Sequence, residues 1–339
     1  MNQAVVTDEQ RIQMIRRDIM AEGQRLRRAY PLLQHQSAIG FAIFLFAVSG
    51  VVVSGFAYIQ GWISAWVCVP LVAVLTSLLH ELEHDLIHYQ YFKQHRWVQN
   101  LMLLVGWLLR PGTINPWVRR QLHLLHHKVS GTDKDIEERG ISNGMAYSPL
   151  RFWVMLDTFV GNLVKVWLIG EKDSKIKRTL QIVAANFPFG VACALIWYGF
   201  LFFHGMSALS GWFDFQWVWS TQTIDAMEWV NTLVVVLVGP FYLRSFCLNF
   251  ISSNMHYYGG VTNLLHQTQV LNHPLFLPFQ LFCFNFGSTH GIHHFVVKEP
   301  FYLRQMTAPY AHQVMKQHGV RFNDLGTFKR ANHYAVANA

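Results

Sequence analysis

Apolar residues along this chain are concentrated in four long runs separated by polar segments. The runs cover residues 37–58, 62–79, 180–203 and 230–248. Each is close to the ~20 residues with which an α-helix crosses a bilayer. The first two runs are joined by a short turn at Gln60 and Gly61, which predicts a hairpin. The pattern therefore predicts an all-α bundle of about four transmembrane helices arranged in two hairpins.

Three further apolar runs, at 97–109, 149–170 and 275–287, are poorer candidates for spans. The first is short, the second carries three charged residues, and the third contains Pro278. We interpret them as interfacial or re-entrant helices, because a lipid-exposed span tolerates few charges and few breaks in its hydrogen bonding.

Basic residues are distributed very unevenly around these four spans. The segments that would lie outside, 59–61 and 204–229, contain no Lys or Arg. All 27 Lys and Arg lie on the other side or, for Arg244, at the inner end of the last span. Because cytoplasmic loops are enriched in Lys and Arg, both termini are expected in the cytosol.

Composition supports a membrane protein and argues against other classes. Hydrophobic residues make up 52% of the chain and charged residues 14%, against about 25% in soluble proteins. The net charge of +8 is placed as in a membrane protein, so no nucleic-acid partner is predicted. We expect one domain over 1–339, with an amphipathic cytosolic segment at 1–36, a core at 37–305 and a cytosolic tail at 306–339.

The 18 histidines of the chain include three dense motifs. The motifs are HELEHDLIH with His80, His84 and His88, HLLHH with His123, His126 and His127, and HGIHH with His290, His293 and His294. Spacings of three and four residues place ring nitrogens on one helix face. The predicted topology brings all three motifs to the inner face of the membrane, in a helical cytosolic cap. Nitrogen donors without thiolates suit iron, zinc or copper, and eight or nine of them imply two ions.

The order and placement of these motifs resemble the membrane-bound fatty acid desaturase and alkane hydroxylase superfamily. The likeness covers residues 37–305. The segment 128–135 after the second motif is similar to a family segment, and 254–259 resembles the element before the third motif that supplies one more ligand. The resemblance implies two non-haem irons, O₂ as co-substrate and a fatty acyl or alkyl substrate in the membrane lipid. It also implies an external electron donor such as ferredoxin or rubredoxin with its reductase.

The expected metal ligands follow from the resemblance. They are His80, His84, His123, His126, His127, His256, His290, His293 and His294. His84 and His88 form a second possible pair in the first motif; we favour His80 and His84 because Glu81 matches the acidic second position of the family. Asp133 and Asp135 are expected to orient imidazoles, with a solvated loop as the alternative. No catalytic residue beyond the ligands is implied.

Desaturation is the reaction that the resemblance favours, with hydroxylation or decarboxylation to a terminal alkene as alternatives. A different class of enzyme is also compatible with part of the sequence. Residues 80–84 satisfy HExxH, in which two histidines bind zinc and the glutamate is the base of a protease. That reading leaves both HxxHH motifs without a role. A metal transporter would place its ligands near the middle of the bilayer, whereas these lie at one face.

Overall fold

A computed structural model of the protein describes residues 6–213, 215 and 217–334. Within them the chain forms sixteen α-helices: α1 (Asp8–Ala29), α2 (Gln36–Ile59), α3 (Ala65–Ile87), α4 (Arg96–Leu108), α5 (Pro116–Val129), α6 (Ile136–Gly140), α7 (Pro149–Leu156), α8 (Thr158–Ile169), α9 (Lys175–Asn186), α10 (Phe189–Trp212), α11 (Thr221–Leu233), α12 (Gly239–Met255), α13 (Leu264–Gln267), α14 (Leu277–Phe282), α15 (Phe286–Phe295) and α16 (Phe301–Gln317). The strands β1 (Gln269–Val270) and β2 (Arg321–Phe322) form one short parallel pair. A π-helical turn, Val234–Val238, joins α11 to α12, and 3₁₀ turns cover Pro31–Gln34, Lys172–Ser174, Pro274–Phe276 and Leu325–Phe328.

Four helical segments of the described chain are long and apolar enough to cross a membrane. They are α2, α3, α10 and the continuous segment Thr221–Met255 that contains α11 and α12. Large apolar side chains on them are exposed, such as Phe46, Val53 and Leu195. The predicted all-α fold with four spanning helices is confirmed. The poorer candidate runs form shorter helices, such as α4 with 13 residues and α8 with 12.

The later two spans differ in their bounds from the prediction. The third begins at Phe189 rather than near residue 180, and the preceding apolar residues belong to the separate helix α9. The break falls at Phe187 and Pro188, because a residue before proline disfavours the helical conformation. The fourth continues beyond residue 248 to Met255. Its polar residues there are buried and bonded; Asn249, for example, donates to the carbonyl of Met155 at 2.8 Å.

The first two spans pack as the predicted hairpin, and close contacts hold them together. Leu79 and Leu82 of α3 share a core with Phe44 and Ala47 of α2. Gly50 faces Leu75 so closely that a Cβ there would lie 2.9 Å from the leucine methyl groups. Helix α12 then packs along α3. Helix α3, which ends at the first histidine motif, and α12, which ends at His256, are therefore neighbours.

Helix α1 has the amphipathic pattern that the sequence predicts, but its apolar stripe packs on protein. The helix begins with a capping box in which Thr7 and Gln10 each accept from the other's backbone. Ile12, Ile15 and Ile19 are buried in one core with residues of α16, including Ala311 and Met315. The stripe thus covers the helix that follows the third histidine motif.

Candidate metal centre

The first histidine motif occupies the C-terminal end of α3. His84 lies in its last turn and His88 caps it, so the two rings follow one another on the same helix face at 5.3 Å between centroids. At the end of α12, His256 similarly leaves the helix as its C-cap residue. Since α3 and α12 pack against each other, both ends present imidazoles to the same region.

The other two motifs lie on short helices whose starts are fixed locally. Asn115 begins α5 by accepting hydrogen bonds from the backbone of Trp117 and Val118, which places His123, His126 and His127 near its C-terminal end. Helix α15 begins at Phe286 and is tightly packed at its second residue: a Cβ on Gly287 would lie 2.8 Å from the carbonyl oxygen of Leu271. A residue without a side chain is therefore required for α15 to approach this closely.

Eight histidines form two compact groups. The first group is His84, His88, His123 and His293; the second is His126, His256, His290 and His294. In each group one ligand atom per residue lies within 4.8 Å of all the others. His127 lies beside the first group, with its Nε2 3.2 Å from Nε2 of His123 and 3.0 Å from Nε2 of His293.

The nitrogens of these rings fit a metal better than they fit one another. A neutral imidazole has one donor and one acceptor nitrogen, yet the Nε2 of His294 faces the Nε2 atoms of both His256 and His290 at 3.2 Å. Among the described residues, both ring nitrogens of His84 and the Nε2 of His88 have no hydrogen-bond partner. Buried imidazole nitrogens that converge on one another in this way are the donor set of a soft or borderline cation.

Three carboxylates contact the outer nitrogens of these histidines. Asp135 lies 2.8 Å from Nδ1 of His126, and Glu137 lies 2.8 Å from Nδ1 of His123. Glu138 Oε1 lies 3.5 Å from Nδ1 of His256. A carboxylate at Nδ1 keeps the proton there and leaves Nε2 free for a metal.

These contacts help to determine the pKa values of His126 and His256. Burial lowers the pKa of His126, but its hydrogen bond to Asp135 and the neighbouring acids outweigh burial and raise it to about 9. For His256, burial and the charge of His126 lower the pKa to about 3. A metal that binds His126 must therefore displace a proton, which makes binding dependent on pH.

Compared with models of known protein families, the chain matches the one described as fatty acid desaturase over residues 60–326. The chain belongs to the fatty acid desaturase family. The matched range contains all three histidine motifs and His256, so the resemblance inferred from the sequence is confirmed. A comparison with curated proteins finds no match.

Membership of the desaturase family implies an oxidoreductase and disfavours the protease reading of HExxH. The geometry of the motif agrees. Glu81, which would be the base of a protease, contacts Arg304 at 3.3 Å, and His80 lies outside both histidine groups. A zinc protease needs both histidines on one ion and a free carboxylate, and this arrangement supplies neither.

In the structure His84 and His88 lie together in the first group, whereas the sequence favours His80 with His84 as the ligand pair. His80 lies one turn earlier in this desaturase-family chain, where its Nδ1 is 3.3 Å from Nη1 of Arg119. Its ring is 6.1 Å from that of Phe286 and lines a cavity. The remaining expected ligands lie in or beside the two groups.

Two of the acids that contact the histidines were not singled out in the sequence. They are Glu137 and Glu138; the sequence predicts this orienting role for Asp133 and Asp135 alone. Asp135 takes that position, but among the described residues no hydrogen bond joins Asp133 to an imidazole. The sequence offers one signal for them: Asp135 is a typical N-cap residue, and Glu137 and Glu138 fall in the first turn of the helix that it would begin. In the structure this helix is α6, and Asp135 accepts a hydrogen bond from Glu138 N.

A buried ion-pair cluster centred on Arg304 contacts the first histidine group through His293. Arg304 of α16 lies 3.3 Å from both Glu81 and Asp85 of α3 and 2.9 Å from Nδ1 of His293. Asp85 also accepts from the hydroxyl of Tyr91 at 2.7 Å. Buried ion pairs of this kind fix the geometry of their partners, and removing one partner costs about 3–5 kcal/mol. The cluster thus ties α16 to the histidine-bearing end of α3.

A cavity of about 1110 Å³ reaches the histidines from one side. Its apolar lining comes mainly from α5, α9 and α12 and includes Val118, Leu122, Ile182, Phe241 and Leu248. His80, His84, His126 and His290 line it as well. In a desaturase-family protein such a cavity is the candidate site for the acyl chain, because an apolar chain is bound by concave apolar surfaces.

Proposed function

We propose that this protein oxidises an unactivated C–H bond of a fatty acyl or alkyl chain, using O₂ and two irons bound by the histidine groups. The family supports oxidation of fatty acyl chains in general. The observation that carries the finer proposal is the pair of four-histidine groups, each with its ligand atoms within 4.8 Å. Nitrogen donors without thiolates suit iron, and two groups suit two ions.

In this proposal each histidine of the two groups is a ligand of one iron. His84, His88, His123 and His293 would hold one iron; His126, His256, His290 and His294 would hold the other. His127, beside the first group, would complete its coordination. Bound iron supplies the O₂ activation and the oxidising power that no protein side chain has.

The protein's own side chains prepare the site for this chemistry. Asp135, Glu137 and Glu138 hold the Nδ1 side of three imidazoles, so that the Nε2 atoms keep their direction. Burial of the histidines excludes water, which protects a reactive centre from side reactions. The apolar lining of the cavity, including Val118 and Leu122, orients an alkyl chain toward the histidines.

Desaturation is the outcome that we propose. Hydroxylation and decarboxylation to a terminal alkene are alternatives, since all three begin by removing hydrogen from the alkyl chain. The sequence contains no haem, dinucleotide or thiolate cluster motif. We therefore propose that a separate carrier such as ferredoxin or rubredoxin, with its reductase, supplies the two electrons.

Metal content and products test the proposal together. Protein purified from a heterologous host should carry about two irons per chain, and cells given fatty acids of several lengths should form O₂-dependent products. Inductively coupled plasma mass spectrometry measures the iron per chain, and gas chromatography–mass spectrometry identifies the products. One zinc without iron would contradict the metal assignment, and iron-loaded protein that leaves every fatty acid unchanged would contradict the reaction.

We also propose that both termini and the histidine groups face the cytosol. The support is the absence of Lys and Arg from residues 204–229 against their abundance elsewhere. A reporter inserted between α10 and α11 should be active only on the non-cytosolic side, and one fused after residue 339 only in the cytosol. A cytosolic reading for the insertion would reverse the assignment.

A further inference from the structure

Arg244 is a buried cation in the fourth spanning segment that lacks an acidic partner. Its side chain belongs to a residue that is 2% exposed, and Nη2 donates to the hydroxyl of Ser245 at 3.1 Å. Within the described part of the chain, Nε and Nη1 have no hydrogen-bond partner, and no carboxylate lies within ion-pair distance. A charge in a membrane-spanning helix is costly and usually marks a binding or transport function.

The acids closest to Arg244 are already used by other arginines. Its strongest electrostatic neighbours are Arg110, Arg119 and Glu83. Glu83 contacts Arg110 through Oε2 and Arg119 through Oε1, the latter at 2.6 Å. Arg119 also lies 3.6 Å from Glu137. The protein therefore leaves an excess of positive charge at Arg244, which an anion from outside would neutralise.

Arg244 opens onto the cavity that leads to the histidines. It lines that cavity with Phe241, Leu248 and Ser252 of the same helix and with His80 and His290. Residues four apart lie on one helix face, so 244, 248, 252 and 256 form a row that ends at His256. The unpartnered guanidinium and the candidate iron ligands thus share one space.

We propose that Arg244 binds the carboxylate of a free fatty acid whose alkyl chain fills this cavity. A guanidinium matches a carboxylate with two parallel hydrogen bonds, and such charge-assisted bonds are the strong ones. A thioester or ester carbonyl carries no charge and would leave Arg244 unneutralised. The inference rests on the proposed function for the oxidation of the bound chain, but binding itself needs no turnover.

An anchored carboxylate also fixes how the enzyme selects a carbon. With the head group held at Arg244, the distance from the carboxyl end decides which carbon reaches the histidines. Acids of different length should then be oxidised at the same position counted from the carboxyl carbon. An enzyme that instead held the methyl end would shift that position with every added methylene.

Competition binding tests the assignment without catalysis. Purified protein in detergent is incubated with radiolabelled dodecanoic acid and challenged with unlabelled dodecanoic acid, its methyl ester or its coenzyme A thioester. We expect the free acid to compete best. Arg244→Gln should weaken binding of the acid about thirtyfold or more, because truncating one side of a buried charge pair has that effect, while binding of the ester changes little. Arg244→Lys should retain part of the preference for the acid.

The control is Arg25→Gln. Arg25 lies on α1, away from the residues that line the cavity; its side chain is 60% exposed and its Nε lies 2.7 Å from Glu22. We expect this variant to bind the acid as the unchanged protein does. Equal affinity of the unchanged protein for acid and ester, unaltered acid binding in Arg244→Gln, or loss of acid binding in Arg25→Gln alone would each overturn the inference.

Two further readouts distinguish failure of this inference from misfolding of a variant and from failure of the proposed function. If Arg244→Gln does not fold, the ratio of acid to ester affinity in Arg244→Lys decides, and an unchanged ratio counts against the inference. Iron content of the variants shows whether the histidine groups are intact. Acid binding without any oxidation would contradict the proposed function while leaving the role of Arg244 standing.

Discussion

Replacing His88 by Ala is expected to abolish turnover and to lower bound iron well below two per chain. The His88 ring lies 5.0 Å from that of His123 and 4.7 Å from that of His293, and its Nε2 has no partner in the described chain. Burial and the neighbouring His123 lower the pKa of His88 to about 2, so the ring is a neutral donor at physiological pH. Metal analysis and product formation in the same membranes measure the effect.

The control for this prediction is His80→Ala. His80 precedes His84 by the same four residues by which His88 follows it, yet it lies outside both histidine groups. We expect this variant to retain most of its iron. Loss of iron from His80→Ala with full iron in His88→Ala would show that the pair favoured by the sequence is the ligand pair.

Replacing His256 by Ala is expected to remove activity and part of the iron while leaving the protein in the membrane. His256 belongs to none of the three motifs, but its Nε2 lies 3.2 Å from Nε2 of His294, and Glu138 and the carbonyl of Ser252 flank its Nδ1. Removing it leaves three histidines in its group, too few to hold the ion as tightly. Iron per chain and oxidised product are again the measurements.

Two other histidines of the same region provide controls. His266 is partly exposed and lies 3.5 Å from Asp8, and His273 accepts from the backbone of Leu275 at 3.2 Å. Their replacement by Ala should alter iron and turnover little. Full iron and turnover in His256→Ala would refute its role as a ligand.

The sequence predicted the fold class and the number of spans because hydropathy over ~20 residues reports lipid exposure directly. It misplaced the ends of the later spans, because hydropathy cannot distinguish an apolar interfacial helix such as α9 from the span that follows it. Nor can it anticipate that polar residues such as Asn249 extend a helix once a neighbour accepts their hydrogen bonds. Helix ends in this chain depend on tertiary contacts.

The candidate site was predictable where spacing alone determines geometry. The two HxxHH motifs place their rings on one helix face, and both contribute to the histidine groups. The choice between His80 and His88 depends on which turn at the C-terminal end of α3 lies level with the histidines of α5 and α15, which sequence spacing leaves open. Glu137 and Glu138 were missed for a similar reason, since only the fold of the segment after α5 turns them back toward the rings.

The length of the fourth spanning segment bears on the distance between the histidine groups and the hydrocarbon layer of the membrane. Its 35 residues extend about 52 Å as a helix, against ~30 Å of hydrocarbon, and even a tilt of ~40° leaves about 10 Å to spare. If this excess lies at the His256 end, the histidine groups stand outside the acyl layer. A substrate that reacts there would then leave the bilayer in part, at about 0.8 kcal/mol for each methylene left in water. The apolar cavity lined by Val118 and Leu122 would offer those methylenes a surface other than water.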